Sequence, residues 1–247
     1  MAIDQPRVDN QFLWISNSSD RAIIMSLDQI EIRSYFDTRL SHEPMREKVW
    51  KTVTNYLLPY FDLHCEANVL ELGCGYGHWI GSIPVQNRYA LDINPDVHNR
   101  VKLLGPPRIK TYVSPCYQLE MFSDHTLDLV LASNLLEHLE LEEIFQTLNE
   151  ISRVLKDGGR FCVVQPNFAL CPRQYFDDYT HRSVFTAVSL KDLLEAHGLQ
   201  VTHSWNRFLP FSMKGKSARL TVLLPTYLRS PWKPFAGQMC MITRTKK

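Results

Sequence analysis

An apolar run, Asn68-Val-Leu-Glu-Leu72, leads without a break into Gly73-Cys-Gly-Tyr-Gly77. Few folds make room for that juxtaposition. Glycine takes up positive φ at little cost and lets a ligand touch the main chain. A buried strand that empties into such a turn and then into a helix belongs to a parallel sheet. There the helix N-terminus favours a negative group such as a carboxylate.

The rest of the chain follows the same alternation. Arg88–Asp92, Ile109–Val113, Leu127–Ala132 and Arg160–Gln165 read as strands. Asn94-Pro95 supplies an N-cap and a favoured first residue for a helix reaching about Leu104. From Ser41 a helix is expected, with Met45, Val49, Trp50, Val53, Tyr56 and Leu57 on one stripe and Pro59 ending it. Leu141–Leu155 is the clearest helix, with acids Glu142 and Glu143 at its start, Arg153 and Lys156 at its end, and Gly158-Gly159 stopping it. Ser189-Leu-Lys-Asp192 reads as a capping box for a helix ending at Gly198. Gln200–Ser204 and Gln238–Arg244 close the chain as strands able to pair antiparallel. The fold class expected is α/β: a Rossmann-like three-layer sandwich around a seven-stranded, mostly parallel sheet with an antiparallel last strand.

A length of 247 residues suits one domain over 1–247. Residues 1–60 would form an N-terminal cap and helix. Residues 205–237 would form an irregular insert with four prolines that shapes the substrate site. No apolar run reaches the ~18 residues of a membrane-spanning helix. The start lacks a basic segment followed by an apolar stretch. The six cysteines are scattered without a C-x-x-C pair, which suits reduced thiols and a cytoplasmic location. The net charge of +1 conceals an asymmetry. Residues 1–150 carry 12 basic and 21 acidic side chains, whereas residues 151–247 carry 15 and 5. Ser204–Lys247 holds nine basic residues and no acid, a field that attracts an anionic ligand or an acidic surface such as a membrane, or else is a solvated face or pairs with the acidic half of the chain.

A dinucleotide-binding turn needs G-x-G-x-x-G, but counting six positions from Gly73 reaches His78, and from Gly75 reaches Ile80. The spacing here is G-x-G-x-G, preceded by Glu71 and followed, at the end of the next strand, by Asp92. This pattern resembles the class I S-adenosylmethionine-dependent methyltransferases. Leu127–Leu139 resembles the family's fourth-strand segment, and Val154–Phe161 resembles its turn into strand five. A narrower likeness, carried by Ser34–Asp37, Tyr175–His181 and the proline-rich end, is to bacterial methyltransferases found among saccharide- and lipid-modification genes. The resemblance implies S-adenosylmethionine as cofactor, with S-adenosylhomocysteine as product. It implies a cofactor site made by Glu71, Gly73, Cys74, Gly75, Gly77, Asp92, Ile93, Cys116, Tyr117 and Asn134. Asp92 would bond both ribose hydroxyls, as a carboxylate can. The family often has an Asp after strand three for the adenine amino group. Here Ser114-Pro-Cys-Tyr117 stands instead, leaving Ser114, a main-chain group near Cys116, or stacking on Tyr117.

Methyl transfer to a hydroxyl is helped by proton removal, which suits histidine. His138 follows strand four at the carboxyl end of the sheet, where such folds bind ligands. The bland alternative is that it ties its loop to the next helix. His181 sits in the aromatic, acidic segment after strand five. Both are catalytic candidates. Tyr35, Arg39, Tyr179 and Arg182 are substrate-binding candidates, with core packing and surface ion pairs as the alternatives. Asp177, Asp178 and His181 could gather round a metal, but adjacent acids rarely face one ion without further ligands, so no metal is expected. Base-modifying methyltransferases carry an N/D-P-P-aromatic segment where this chain has Ser133-Asn-Leu-Leu136, so nucleic acid is not the expected partner. The function expected is O-methylation of a small-molecule hydroxyl, sugar- or lipid-linked or on a secondary metabolite. The alternatives are N-methylation of a small amine and a cofactor-binding partner without turnover.

Overall fold

The computed structural model describes residues 12–15, 23–26, 44–102, 109–211 and 218–246. Close contacts divide the chain into two units, residues 1–42 and 43–247. In the first, β1 (Phe12–Ile15) and β2 (Ile23–Ser26) pair antiparallel, with Phe12 opposite Ser26.

The second unit begins with α1 (Pro44–Leu57). Then β3 (Asn68–Leu72), α2 (His78–Ser82), β4 (Asn87–Asp92), α3 (Val97–Lys102), β5 (Lys110–Val113) and β6 (Leu127–Ser133) alternate. They are followed by α4 (Leu141–Val154), β7 (Leu155–Pro166), α5 (Ala187–Ala196), β8 (Leu199–Trp205), α6 (Ala218–Arg229) and β9 (Gln238–Thr245). The sheet order is β5-β4-β3-β6-β7-β9-β8. The first five of these strands run parallel, and β9 lies antiparallel between β7 and β8. This is the seven-stranded sheet expected, with its antiparallel closing strand.

Both faces of the sheet are apolar because both are covered. Val69, Leu129, Leu131, Cys162, Val164 and Ile242 share one core cluster with residues of α1, α2, α3 and α6. Their neighbours Leu70, Leu72, Val130, Ala132, Phe161, Val163 and Met241 fill the opposite core with residues of α4 and α5. The period-2 alternation of a strand is what sends consecutive residues to opposite layers. On the first side Trp79 is fully buried and stacks on Trp50, ring centroids 4.6 Å apart.

Two local readings change. The helix after Phe185 starts one turn before the expected cap. Thr186 is the N-cap, its hydroxyl accepting from the Ser189 N–H, while the Ser189 hydroxyl accepts from the Thr186 N–H. Ser189 is thus the third helical position, reaching back to the cap rather than opening the helix. The insert between the last two strands is not irregular throughout, because it contains α6. Pro225 lies inside that helix, yet Leu224 and Leu228 are buried one turn apart. Tertiary burial of that stripe outweighs the lost hydrogen bond of a helical proline.

Candidate active site

The parallel strands deliver their carboxyl ends to one edge, and sheet order fixes which loops meet there. From β3 the order passes to β4 and β5 on one side and to β6 and β7 on the other. The loops after β3 and β6 therefore diverge at the switch point where open α/β sheets bind ligands.

The turn after β3 is built from three glycines in the left-handed region: φ is +61° at Gly73, +55° at Gly75 and +70° at Gly77. At Gly73 a Cβ would also lie 2.9 Å from Leu135 Cδ1, from the loop after β6. Gly73→Ala should therefore cost about 1–2 kcal/mol of stability, chiefly through backbone strain, since the leucine tip can move. Denaturant unfolding of the variant measures it.

Asp92 closes this turn from the end of β4. Its Oδ2 accepts from the Gly75 N–H at 2.8 Å and its Oδ1 from the Asn94 N–H at 2.9 Å. Burial pushes its pKa up, and these two donors oppose the shift. Each carboxylate oxygen has a second lone pair, so both can still accept from a vicinal diol. Glu71 is also buried. Its Oε2 accepts from the Ile80 N–H at 2.9 Å, so the N-terminus of α2 is met by a carboxyl group of the protein itself. Burial pushes Glu71 up to about 8, with the Asp92 charge adding to the shift and the Ile80 N–H opposing it.

The other cofactor candidates lie along the same edge. Ile93 is 49% exposed and Val113, at the end of β5, 46%, so apolar surface flanks Asp92 in the open. Cys74 is buried and its N–H donates to the Leu91 carbonyl at 3.1 Å. Burial raises its thiol pKa far above the ordinary value, which makes it inert. Cys116 is likewise pushed up to about 11 by burial, and its Sγ lies 3.4 Å from Thr147 Oγ1, so its side chain is engaged within the core. The Ser114 hydroxyl donates to the Gln118 carbonyl at 3.1 Å. Tyr117 packs partly buried against the second core, where burial raises its pKa. Asn134 has φ +48° and its side-chain oxygen accepts from Gln238 Nε2 at 3.3 Å, which links the loop after β6 to β9.

His138 and His181, 43 positions apart in sequence, meet with ring centroids 4.9 Å apart. His138 ends a single 3-10 turn, Leu136–His138, and His181 follows another, Tyr175–Asp177, in the loop after β7. Among the described residues, His138 is anchored on that loop. Its Nδ1 lies 2.9 Å from Thr180 Oγ1, and the Thr180 hydroxyl donates to Asp178 Oδ1 at 2.6 Å. Because that hydroxyl's proton is spent on Asp178, His138 Nδ1 must donate, which leaves the lone pair on Nε2. His181 Nδ1 lies 2.6 Å from the Tyr175 carbonyl, a pure acceptor, so the same tautomer follows. Burial, then the neighbouring His181, holds the His138 pKa down to about 4. Burial pushes Asp178 up, but the Thr180 hydroxyl and N–H outweigh it and leave the carboxyl below its usual range.

The substrate candidates are less concentrated. Tyr179 is exposed. Arg182 makes an exposed ion pair with Glu140 at 3.1 Å, while its N–H donates to the Glu137 carbonyl at 2.8 Å. Tyr35 and Arg39 lie outside the described residues. One residue escaped the sequence reading. Glu137 is fully buried beside the two histidines, and burial pushes it up to about 8. The available signal was an acid adjacent to His138 directly after an apolar strand.

A family described as methyltransferase domain matches residues 42–204. A relative from Methanocaldococcus jannaschii, an uncharacterised protein, is 30% identical over 192 residues, covering 77% of this chain and 79% of its own. Among solved structures, the chain is similar to one from the complex between the Haloferax volcanii Trm112 methyltransferase activator and a methyltransferase. Identity there is 15%, the TM-score 0.65, and 89% of this chain and 97% of that one are covered. It is also similar to the N-methyltransferase NodS of Bradyrhizobium japonicum in complex with S-adenosylhomocysteine, at 17% identity and TM-score 0.58, covering 85% and 92%. With a G-x-G-x-G turn, a buried acid at the end of the next strand and a family match over most of its length, the chain belongs to the methyltransferase domain family and has the class I S-adenosylmethionine-dependent fold.

Proposed function

We propose that this enzyme moves the methyl group of S-adenosylmethionine to the hydroxyl oxygen of a small molecule, sugar- or lipid-linked. What carries the reading is that the loop ends holding Asp92 and the His138–His181 pair belong to the same edge of one parallel sheet. The cofactor side fits the group. The glycine turn lets main chain approach a ligand, and Asp92 keeps acceptor capacity on both oxygens for the ribose diol. Exposed Ile93 and Val113 offer apolar surface for a base. The bound cofactor supplies a carbon activated by its sulfonium leaving group.

The chain's own work is then alignment, exclusion of water and management of one proton. Asp178, through Thr180, holds His138 with its proton on Nδ1, and the Tyr175 carbonyl does the same for His181. Both rings therefore offer Nε2 to the acceptor hydroxyl as catalytic residues, with Tyr179 and Arg182 beside them for substrate. Support for a lipid-linked acceptor comes from Val222, Leu223, Trp232 and Phe235. These stand exposed within the stretch that carries nine basic residues and no acid. Among the described residues no helix is long and apolar enough to cross a membrane, so contact would be peripheral.

The assay is transfer of a ¹³C-labelled methyl group to candidate acceptors, with the product read by carbon NMR. Label on oxygen is the expected result. Label on nitrogen alone would favour N-methylation, the activity for which NodS is named. Cofactor binding with no product from any acceptor class would favour a partner protein without turnover.

A further inference from the structure

Glu137, His138 and His181 offer one donor atom each, all within 4.8 Å of one another. Glu137 is fully buried, and neither of its carboxylate oxygens has a hydrogen-bond partner among the described residues. A buried carboxylate left this way is costly, and the remedies are a retained proton, a paired charge or a metal ion. The main chain of Glu137 is firmly held, its carbonyl accepting from the N–H groups of Arg182 and Ser183 at 2.8 and 3.1 Å. These bonds fix the Glu137 main chain where the loops after β6 and β7 meet.

The two histidines are prepared in the manner of metal ligands. A ligating imidazole donates its other N–H to a carbonyl or to a carboxylate network, which fixes ring and tautomer. His181 donates to the Tyr175 carbonyl, and His138 to the Thr180–Asp178 pair. With Nδ1 protonated, each ring carries its lone pair on Nε2, and one donor atom of each ring and of Glu137 lie within 4.8 Å of one another. Two imidazoles and one carboxylate, all neutral or anionic, suit a divalent first-row ion such as Zn²⁺, Fe²⁺ or Co²⁺ better than Mg²⁺ or Ca²⁺, which prefer oxygen. Bonds of ~2.0–2.2 Å would draw the donors inward by an ångström or so from their present spacing.

We infer that Glu137, His138 and His181 form a divalent transition-metal site with an open position toward the methyl acceptor. The inference rests on the proposed methyl transfer to a hydroxyl and deepens it: an Nε2 lone pair bound to an ion cannot also take a proton, so the ion replaces the two rings as the group that activates the hydroxyl. Three protein ligands leave a fourth position in which a hydroxyl would lose its proton more readily. In the transfer itself the hydroxyl proton passes to solvent and the oxygen forms the new bond to carbon. The carbon–sulfur bond breaks with its electron pair remaining on sulfur, so the sulfonium becomes a neutral thioether.

The test uses the full chain, stripped with a chelator and titrated with ZnCl₂ by calorimetry and with CoCl₂ by visible absorption. One equivalent should bind, with a cobalt band characteristic of four- or five-coordinate nitrogen and oxygen ligation. Glu137→Gln and His181→Ala should each weaken binding by about a hundredfold or more. Melting curves and calorimetry with S-adenosylhomocysteine run alongside. Should either variant fail to fold, histidine NMR of the cobalt-loaded wild type shows whether two imidazoles are shifted by the ion. No metal uptake by a wild type that still binds S-adenosylhomocysteine overturns the metal site and leaves the methyltransferase reading standing. Uptake that both folded variants retain overturns it equally. A wild type that binds metal but never the thioether product sinks the functional reading instead.

Discussion

Asp92→Ala should lower affinity for S-adenosylmethionine and S-adenosylhomocysteine by about a hundredfold or more, as two effects of ~1.5–3 kcal/mol each would produce. The first effect is loss of the acceptor for the ribose hydroxyls, where hydrogen bonds to a charged group are the strong ones. The second is local. The Gly75 and Asn94 N–H groups, now 2.8 and 2.9 Å from Asp92, would lose their partner, and the glycine turn would lose its tie to β4. Asp92→Asn separates the two effects, because an amide keeps one acceptor but turns a donor toward one of those N–H groups. Calorimetry with the thioether product measures both variants. Wild-type affinity in Asp92→Ala would refute the cofactor site.

A second large effect should come from Glu71. The folded chain holds its proton to about 8, against ~4.3 for an ordinary glutamate in an unfolded chain. Between those values the folded state binds the proton and the unfolded state does not. Stability contributed by the neutral carboxyl is therefore complete below the unfolded pKa, declines as pH rises, and is gone once pH passes about 8. The loss from this one group is on the order of a few kcal/mol. Glu71→Gln retains an acceptor for the Ile80 N–H and carries no charge, so its unfolding free energy should fall much less between pH 5 and pH 8. Glu137 and Asp92 are raised in the same direction, so a residual slope should persist in the variant. Urea unfolding across that range decides the matter. Equal slopes for wild type and variant would show that Glu71 is ionised in the fold.

The two glutamates differ in how visible they were. Glu71 lies inside the strand-to-glycine pattern, so its place near the turn followed from sequence alone. That it fills the N-terminus of α2 itself, at 2.9 Å from the Ile80 N–H, required the fold. Glu137 carried only the weak signal of standing next to His138. Its significance depends on Thr180 and His181 returning to meet it, a contact set by the pairing of β6 with β7. The capping box of α5 shows the same limit at short range. The spacing Ser189-x-x-Asp192 pointed to Ser189 as the cap, whereas in the fold Thr186, directly after the buried Phe185, caps the helix and Ser189 is its third residue.

Sequence by itself determined the sheet of seven strands, its two apolar faces, the glycine turn and the acid that closes it. These are written in side-chain spacing: period two along strands, near 3.6 along helices, and glycine where φ must be positive. Only tertiary structure decided that α6 forms around Pro225, and that Glu137, His138 and His181 converge beside Asp178 and Thr180. Such meetings join segments some forty residues apart, and the order of strands in the sheet, which no local periodicity encodes, brings them together.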